Sequence, residues 1–382
     1  MELIKNVIEK IWLILIVTII ISSQISAYAD VPKPEALFVK MSQAYQTVDF
    51  EGRFTMIFRL PMGSQSLDIQ EYRKAPNKRR IEIISPSDIA GLGMVVDGEE
   101  RWRLESNEKK HLPFRFLPPE HLEETQFQNF RLLLRNYKVG VFNGGSVAGR
   151  DTYLIEITPK QQNRPSRKLW IDAEKGIPLK SELYDTQKVL RRLIAYSKID
   201  FNSAIDDKLF KNPRRFWDTR KRPPGPKGEE IWNYNQSKVD INKLREKTQF
   251  DIVVIEQLPG GFALQSINTI EIDKAKNAHL KYSDGLTALS VFQSPFDRPP
   301  DRGKPEGPPP PNREKQRNEP PPGPPPGPEK EEKVKIKGID CIILVKGPVT
   351  IIRWNKGGVY FTLISELEKN DTIKIATDFI GK

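Results

Sequence analysis

The residues that could act as a nucleophile with its base lie together at one place in the chain. Ser283 and Asp284 are adjacent, and His279 stands four residues before Ser283. A serine nucleophile needs a base that a third group orients, and the stretch shows no such pair. Serine and aspartate also stabilise turns through hydrogen bonds to their own backbone, and Gly285 follows them. We therefore expect turn chemistry here rather than covalent catalysis.

No other set of side chains has the spacing of a catalytic or metal site. The histidines are scattered along the chain, at His111, His121 and His279. Glu123 and Glu124 are adjacent, so their carboxylates do not converge on one substrate. The single cysteine, Cys341, opens an apolar strand, where a thiol is usually buried and inert. One cysteine also excludes a disulfide scaffold and a multi-cysteine zinc or iron–sulfur site. The sequence thus predicts neither an enzyme nor a bound cofactor or metal.

A strand near the N-terminus has an apolar face that allows two interpretations. The residues of that face are Phe54, Met56, Phe58 and Leu60. Any half-buried strand alternates in this way, which favours plain core. The alternative is the lining of a cavity for an acyl chain, where burial contributes about 0.8 kcal/mol per methylene. In that case Met94 and Trp102 would belong to the same cavity.

The N-terminus has the features of an export signal. Lys5 and Lys10 precede an apolar run, Ile11–Ile21, which is about 16 Å long as a helix. That length is too short for a hydrocarbon core of about 30 Å. Ala27-Tyr28-Ala29 then matches a signal-peptidase site before Asp30. We expect residues 1–29 to be a cleaved signal peptide and the mature chain to work outside the cytoplasm; the alternative is an uncleaved anchor.

The charge is positive and unevenly distributed. The chain carries 61 Lys plus Arg against 50 Asp plus Glu, a net charge of +11. In an exported protein this excess favours an acidic protein partner or anionic lipid over nucleic acid. Lys211–Arg222 is strongly basic, and prolines follow it. Residues 211–238 are therefore predicted to be a basic, Pro-rich linker between two domains.

Residues 30–210 show the pattern of a sheet-rich domain with two helices. Glu35–Gln46 is predicted to be an amphipathic helix, and Phe127, Phe130, Leu133, Leu134 and Tyr137 a second one. Further strands are predicted at Ser66–Tyr72, Arg79–Ile84, Met94–Val96, Arg101–Leu104, Tyr153–Ile157, Lys168–Asp172, Leu179–Tyr184 and Val189–Phe201. Strands follow strands without crossover helices, so we expect one antiparallel sheet in an α+β fold.

Residues 239–382 are predicted to form a second, smaller α+β domain. Its elements are a short helix at Ile241–Lys247, strands at Asp251–Glu256, Phe262–Ile272, Ala278–Tyr282, Leu286–Phe292, Ile342–Val345, Val349–Trp354 and Val359–Ser365, and a final helix at Thr372–Ile380 capped by Asn370 or Asp371. Residues 295–333 interrupt it with a proline-rich tract, which we expect to be a solvated, disordered insertion between strands.

Several strings resemble the MucB/RseB family of periplasmic regulators of the sigma-E envelope-stress response. The most specific is the hairpin His279–Phe292, and Leu258–Phe262 resembles the entry into that family's C-terminal domain. Further similarity lies at Phe50–Gly52, Leu169–Asp172, Gly176–Lys180, Trp354, Tyr360–Ser365 and Asp371–Ile380. The sequence departs from the family in its basic linker, its proline-rich insertion and its high charge.

The resemblance implies a fold and a function. Lipoprotein carriers of the LolA/LolB type share the N-terminal strings, which implies a LolA-like curved antiparallel half-barrel closed by helices around an apolar cavity. Members of the family bind the extracytoplasmic part of a membrane-spanning anti-sigma factor and shield it from a site-1 protease, until lipid or lipopolysaccharide releases it. The resemblance also implies partner contacts on the hairpin, at His279, Tyr282, Asp284 and Phe292. The alternative function is a lipid or lipoprotein carrier that uses the apolar cavity.

Overall fold

The computed structural model describes eight stretches of the chain: residues 31–60, 63–98, 100–104, 130–211, 250–272, 275–295, 331–346 and 349–382. Within them, no helix is long and apolar enough to cross a membrane. The predicted signal peptide, nearly all of the predicted linker, the predicted helix Ile241–Lys247 and most of the proline-rich tract lie outside these stretches.

Ten antiparallel strands of the described chain form the first sheet. They are β1 (Phe50–Leu60), β2 (Gly63–Lys74), β3 (Lys78–Ser85), β4 (Gly93–Asp97), β5 (Glu100–Leu104), β6 (Tyr137–Val147), β7 (Arg150–Pro159), β8 (Ser166–Asp172), β9 (Pro178–Tyr184) and β10 (Leu190–Asp200). Their order is β5-β4-β3-β2-β1-β10-β9-β8-β7-β6. The sheet curves so strongly that β6 approaches β10, although β9, β8 and β7 lie between them.

Helix α1 (Pro34–Thr47) covers part of one face of this sheet, which we call the inner face. Pro34 suits the first helical position because its fixed φ favours the helix and its missing N–H has no partner to lose. Five side chains at helical spacing are buried: Leu37, Phe38, Met41, Ala44 and Tyr45. They belong to one apolar cluster with Phe50, Ile155 and Leu169 of the strands below. The prediction of a helix at Glu35–Gln46 is confirmed.

Eight strands of the described chain form the second sheet, in the order β11-β12-β13-β14-β18-β17-β16-β15. They are β11 (Gln257–Leu258), β12 (Phe262–Ile272), β13 (Ala275–Ser283), β14 (Ala288–Ser294), β15 (Glu331–Ile336), β16 (Ile339–Lys346), β17 (Val349–Lys356) and β18 (Val359–Ser365). Helix α3 (Lys369–Gly381) contributes Ile375, Ala376 and Phe379 to the core of this sheet. We call the first sheet with its helices the first unit, and the second sheet with α3 the second unit. Sheets dominate both units, so the α+β expectation fits only in part.

The second predicted helix ends one residue earlier than expected, and its part before Phe130 lies outside the described residues. Helix α2 spans Phe130–Asn136, and Tyr137 is already the first residue of β6 rather than the last residue of the helix. The strand that follows had no strong signal, because Gly140, Gly144 and Gly145 interrupt its alternation.

The segment predicted as a strand at Asp251–Glu256 is not one. Both edges of its neighbour β14 are taken, by β13 and β18. The amide of Gln293 instead accepts a hydrogen bond from the N–H of Val253 at 2.8 Å and donates one to its carbonyl at 2.7 Å. This side chain thus satisfies backbone groups that a strand partner would otherwise satisfy.

Two further expectations are corrected at the C-terminal end. The predicted proline-rich tract extends too far, since Glu331–Lys333 belong to β15, which pairs with β16. Helix α3 begins at Lys369, and its N-cap position, Glu368, makes no side-chain cap. Neither Asn370 nor Asp371 is therefore the cap. The Thr372 hydroxyl, on the first turn, donates instead to the carbonyl of Glu368 at 3.1 Å.

Candidate functional site

The turn between β13 and β14 inserts into the first unit. Gly285, at the centre of this turn, has a φ of +100°, and a Cβ there would lie 2.5 Å from the Cα of Leu133 in α2. The next residue, Leu286, is buried in the apolar cluster beneath α1. Only glycine combines this backbone conformation with so close an approach. The hairpin that resembles a family signature is thus one place where the second unit contacts the first.

Asp284 binds the two units together from within this turn. It is 1% exposed. Its Oδ1 accepts hydrogen bonds from the N–H groups of Leu286 at 2.9 Å and Thr287 at 2.7 Å, and its Oδ2 accepts from the Tyr137 hydroxyl at 2.7 Å. The first two bonds shape the turn, whereas the third crosses to β6.

Asn136 completes what we call the junction, formed by Asn136, Tyr137, Gly261, Asp284 and Gly285. Its Nδ2 donates to the carbonyl of Asp284 at 2.8 Å and to that of Gly261 at 3.0 Å. A Cβ at Gly261, where φ is +80°, would lie 2.0 Å from the Asn136 Oδ1. Two turns of the second unit, at Gly261 and at Asp284, therefore both contact the side-chain amide of Asn136 in the first unit.

The electrostatics of the junction keep Tyr137 as a donor. Burial raises the pKa of the Tyr137 phenol well above its usual value, and the neighbouring Asp284 carboxylate raises it further. The hydroxyl therefore keeps its proton at neutral pH and can donate to the carboxylate. A charge-assisted bond of this kind is stronger than a bond between neutral groups.

The structure buries three of the four predicted partner contacts, His279, Tyr282 and Asp284. Asp284 is inside the junction, and Tyr282 is fully buried with its ring edge against Phe379 of α3, 6.2 Å between centroids. In this conformation neither side chain offers a surface to a partner, which corrects the expectation of direct contact. Phe292 is half-buried and stacks on His279 at 4.3 Å. His279 is buried as well, at 7% exposed. Only Phe292 keeps a partly exposed side chain among the four, and a partner contact there stays a prediction.

His279 is neutral in this arrangement. Its Nε2 shares a hydrogen bond with the Ser290 Oγ at 3.0 Å. Burial, together with the positive charge of Lys281, lowers the pKa of His279 to about 4. Ser283, in turn, donates to the carbonyl of Thr287 and accepts from the N–H of Gly285. The expectation of turn chemistry at Ser283 and Asp284 is therefore confirmed.

The predicted lipid lining divides between two faces of the first sheet. Phe54, Met56 and Met94 are buried in one inner-face cluster, with Phe58 packed against it. Trp102 pairs with Val95 across β4 and β5, and cross-strand partners share a face. Since Val95 faces away from its neighbour Met94, Trp102 lies on the opposite face, in a cluster with Leu104 and Phe210. Trp102 therefore does not share a cavity with the other candidates. The side chain of Leu60 lies outside the description.

A buried polar network borders this inner-face cluster. Glu71 is 2% exposed and accepts from the Arg79 Nε at 2.6 Å and from the Tyr196 hydroxyl at 2.5 Å. Beside it, Arg73 donates to the carbonyl of Tyr45 in α1 at 3.1 Å. In the sequence, charged residues at these strand positions indicate a solvent-exposed face. No local pattern therefore predicted that Glu71 and Arg73 are buried or that Arg73 binds α1.

The part of the chain that the structure describes contains possible metal ligands and the single cysteine. No group of three or more His, Cys, Asp or Glu side chains in the described stretches converges on a possible metal position. Cys341 is buried, and burial raises the pKa of its thiol. Glu123 and Glu124 lie outside the description.

Comparisons with known proteins agree with the resemblance seen in the sequence. Residues 90–213 match the model of the MucB/RseB N-terminal domain, and residues 329–378 match a domain of unknown function (DUF4367). The sigma factor AlgU regulatory protein MucB of Pseudomonas aeruginosa is 26% identical over 163 residues. That match spans 42% of this chain and 45% of the relative, less than half of either.

Solved structures extend the likeness in fold to both units. MucB in the Pseudomonas aeruginosa MucA/MucB complex has a TM-score of 0.50 and 16% identity, over 89% of this chain and 96% of that one. A LolA superfamily protein from Nitrosomonas europaea matches 47% of this chain and 98% of its own, with a TM-score of 0.25 and 14% identity. The chain is therefore similar to the MucB/RseB proteins: residues 90–213 match the model of that family's N-terminal domain, and both units share the fold of MucB.

Proposed function

We propose that this protein is a non-enzymatic regulator that binds the extracytoplasmic part of a membrane-spanning anti-sigma factor. The observation that carries the proposal is the two-unit fold shared with MucB of the MucA/MucB complex. The name of the related Pseudomonas aeruginosa protein, a regulatory protein of a sigma factor, points in the same direction. The protein works in the periplasm, after removal of residues 1–29 as a signal peptide.

Binding shields the partner from a site-1 protease. The junction supports this step, because it ties the two sheets together through buried hydrogen bonds from Tyr137 and Asn136 to Asp284. A partner segment bound to both units would be held in one conformation, whereas a protease needs its substrate extended in its own active site.

Lipid or lipopolysaccharide releases the partner. The inner-face cluster of Phe54, Met56 and Met94 is the apolar surface that suits an acyl chain. These side chains are packed against one another, so an acyl chain can enter only when they separate. A ligand that binds this separated state favours it over the packed one, and it releases the partner if the partner prefers the packed state.

A pull-down tests the proposal. Immobilised mature protein, residues 30–382, is incubated with the extracytoplasmic domain of the anti-sigma protein encoded beside it, and then with lipopolysaccharide. We expect retention of the domain, protection of the domain from a site-1 protease, and release by lipopolysaccharide. Retention no greater than on an empty matrix would refute the proposal.

The inner-face cluster also supports a second candidate, a lipid or lipoprotein carrier. That function predicts acyl chains that copurify with the mature protein and are visible by native mass spectrometry. It also predicts transfer of lipid between vesicles without any anti-sigma domain. Binding of the anti-sigma domain by a protein that transfers no lipid would decide against the carrier.

A further inference from the structure

A polar cleft of about 350 Å³ lies between the two units, next to the junction. The first unit contributes the loop between β7 and β8, and the second contributes the turn after β11 and the first turns of α3. The lining residues are Gln161, Gln162, Asn163, Arg164, Pro259, Gly260, Asp371 and Lys374. This volume lies within the usual range for sites that bind small groups.

The guanidinium of Arg164 is the unusual feature of this cleft. The residue is 9% exposed, and its side chain lies over the ring of Phe262 at 5.1 Å. Its Nη1 is buried and has no hydrogen-bond partner among the described residues. The one acid in the lining, Asp371, is paired with Lys374 at 2.8 Å. Nothing in the lining therefore neutralises Arg164.

The backbone at Gly260 lies very close to the Arg164 guanidinium. Gly260 has a φ of +79°, and a Cβ at that position would lie 1.7 Å from the Arg164 Nη2. The turn after β11 therefore fits against the charged group only because it carries glycine there. A buried charge that no residue of the lining neutralises costs free energy, which a bound anion would offset.

We propose that this cleft binds a carboxylate of an acidic peptide segment, with Arg164 as the residue that holds it. A guanidinium presents parallel N–H donors that match the two oxygens of a carboxylate. The exposed side chains of Gln161, Gln162 and Asn163 supply further hydrogen-bonding groups for a peptide backbone. If the segment belongs to the anti-sigma factor, the inference deepens the proposed function and rests on it.

A peptide fits this cleft better than a membrane surface does. The large apolar side chains that the described chain exposes are Val31, Val39, Ile84, Phe142 and Val345. None of them lines the cleft. A surface that inserts into lipid places apolar side chains beside its basic ones, and this cleft has none exposed.

Peptide binding to Arg164 variants tests the inference. The full mature chain is titrated with fluorescent tetraglutamate, and with tetraglutamine to measure the part that does not need a carboxylate. Arg164→Gln should weaken tetraglutamate binding by at least about tenfold, and Arg164→Lys by several-fold because an ammonium lacks the fork. Arg59→Gln is the matched control, since it removes the same charge from an exposed position on β1.

We expect Arg59→Gln to change the affinity by less than about twofold. An equal loss in both glutamine variants would mean that only the net charge matters, and it would overturn the inference, as would no loss in either. Arg164→Gln should melt no lower than wild type, because it removes a buried charge that no residue of the lining neutralises. A Tm lower by more than about 5 °C would assign Arg164 a structural role and would likewise overturn the inference.

Two further arms separate the possible failures. If Arg164→Gln loses affinity for phosphatidylglycerol vesicles and not for tetraglutamate, the ligand is a membrane and the inference is wrong. If the anti-sigma domain binds wild type and Arg164→Gln equally, the inference fails and the proposed function stands. If that domain binds neither, the proposed function fails, and the tetraglutamate titration alone decides the inference.

Discussion

The carboxylate of Asp284 accepts three hydrogen bonds at a site that is 1% exposed to solvent. Two of them come from its own turn and would form in an isolated hairpin. The third, from Tyr137, exists only when the two units meet. At the residue scale, the hydrogen bond from Tyr137 to Asp284 therefore contributes directly to the stability of the contact between the two units.

Replacing Tyr137 with phenylalanine removes that donor and little else. The Asp284 Oδ2 then remains buried without its partner from β6, so we expect Tyr137→Phe to lower the free energy of unfolding by about 2 kcal/mol. Urea denaturation measures the change. Tyr153→Phe, at a half-buried tyrosine outside the junction, is the control and should cost less than about 0.5 kcal/mol. Equal losses would mean that the junction bond contributes nothing specific.

His279 makes stability depend on pH. The folded chain holds this histidine with a pKa of about 4, against an ordinary value of 6.5. The unfolded chain therefore takes up a proton first, so the stabilisation is complete above pH 6.5 and is lost as the pH falls towards 4. His279→Gln should reduce the difference in unfolding free energy between pH 7.5 and pH 4.5 by roughly 2 kcal/mol.

Denaturation of both proteins at the two pH values measures this effect. Phe292→Leu keeps the histidine while changing its stacking partner. It should therefore retain most of the wild-type pH dependence. An unchanged pH dependence in His279→Gln would show that the folded histidine titrates normally.

At the scale of elements, the turn between β13 and β14 depends on a close approach to α2. Gly285 and Gly338 both have positive φ, but only a Cβ at Gly285 would meet another element, the backbone of Leu133. Gly338→Ala should cost about 1 kcal/mol for its backbone conformation alone. Gly285→Ala should cost at least about 2 kcal/mol more, because the turn must withdraw from α2. Thermal denaturation compares the two, and similar losses would contradict the close contact.

The proline-rich tract must bridge a long distance within the second sheet. Strands β14 and β15 run in the same direction and lie four strands apart, and the pairing places Glu331 level with Ser290. The connection therefore crosses roughly 23 Å from the end of β14 to the start of β15. Replacing residues 296–330 with a 20-residue Gly/Ser linker should keep the wild-type Tm within about 3 °C. A four-residue linker reaches only about 18 Å and should prevent β15 from pairing.

Circular dichroism and thermal denaturation of both replacements check this expectation. If the 20-residue linker also destroyed the fold, the tract would contribute structure of its own. If the four-residue linker folded normally, the strand order of the second sheet would be wrong.

Period-two alternation predicted most strands, because it reports burial on one side of a sheet. It failed at β6, where glycines interrupt the pattern, and at Asp251–Glu256, where the Gln293 side chain takes the role of a strand. The turn at Ser283–Gly285 was predictable from its residue types. Its bond to Tyr137 was not, since 147 positions separate Tyr137 from Asp284 and no local pattern reports such a contact.

At the scale of the whole molecule, the fold brings together three features that lie far apart in the sequence. One is the curved first sheet with its apolar inner face, another is the junction at Asp284, and the third is the positively charged cleft beside Arg164. The net charge of +11 would attract an acidic partner, and salt would screen this attraction and reduce its range. The junction would then present both units to that partner together.

A calorimetric titration shows whether the protein binds an anti-sigma domain. Purified mature protein, residues 30–382, is titrated with the extracytoplasmic domain of the anti-sigma protein encoded beside it, at physiological salt. We predict saturable binding at a one-to-one ratio with a Kd tighter than about 10 µM. A folded wild-type protein that shows no binding up to about 50 µM of the domain would contradict it.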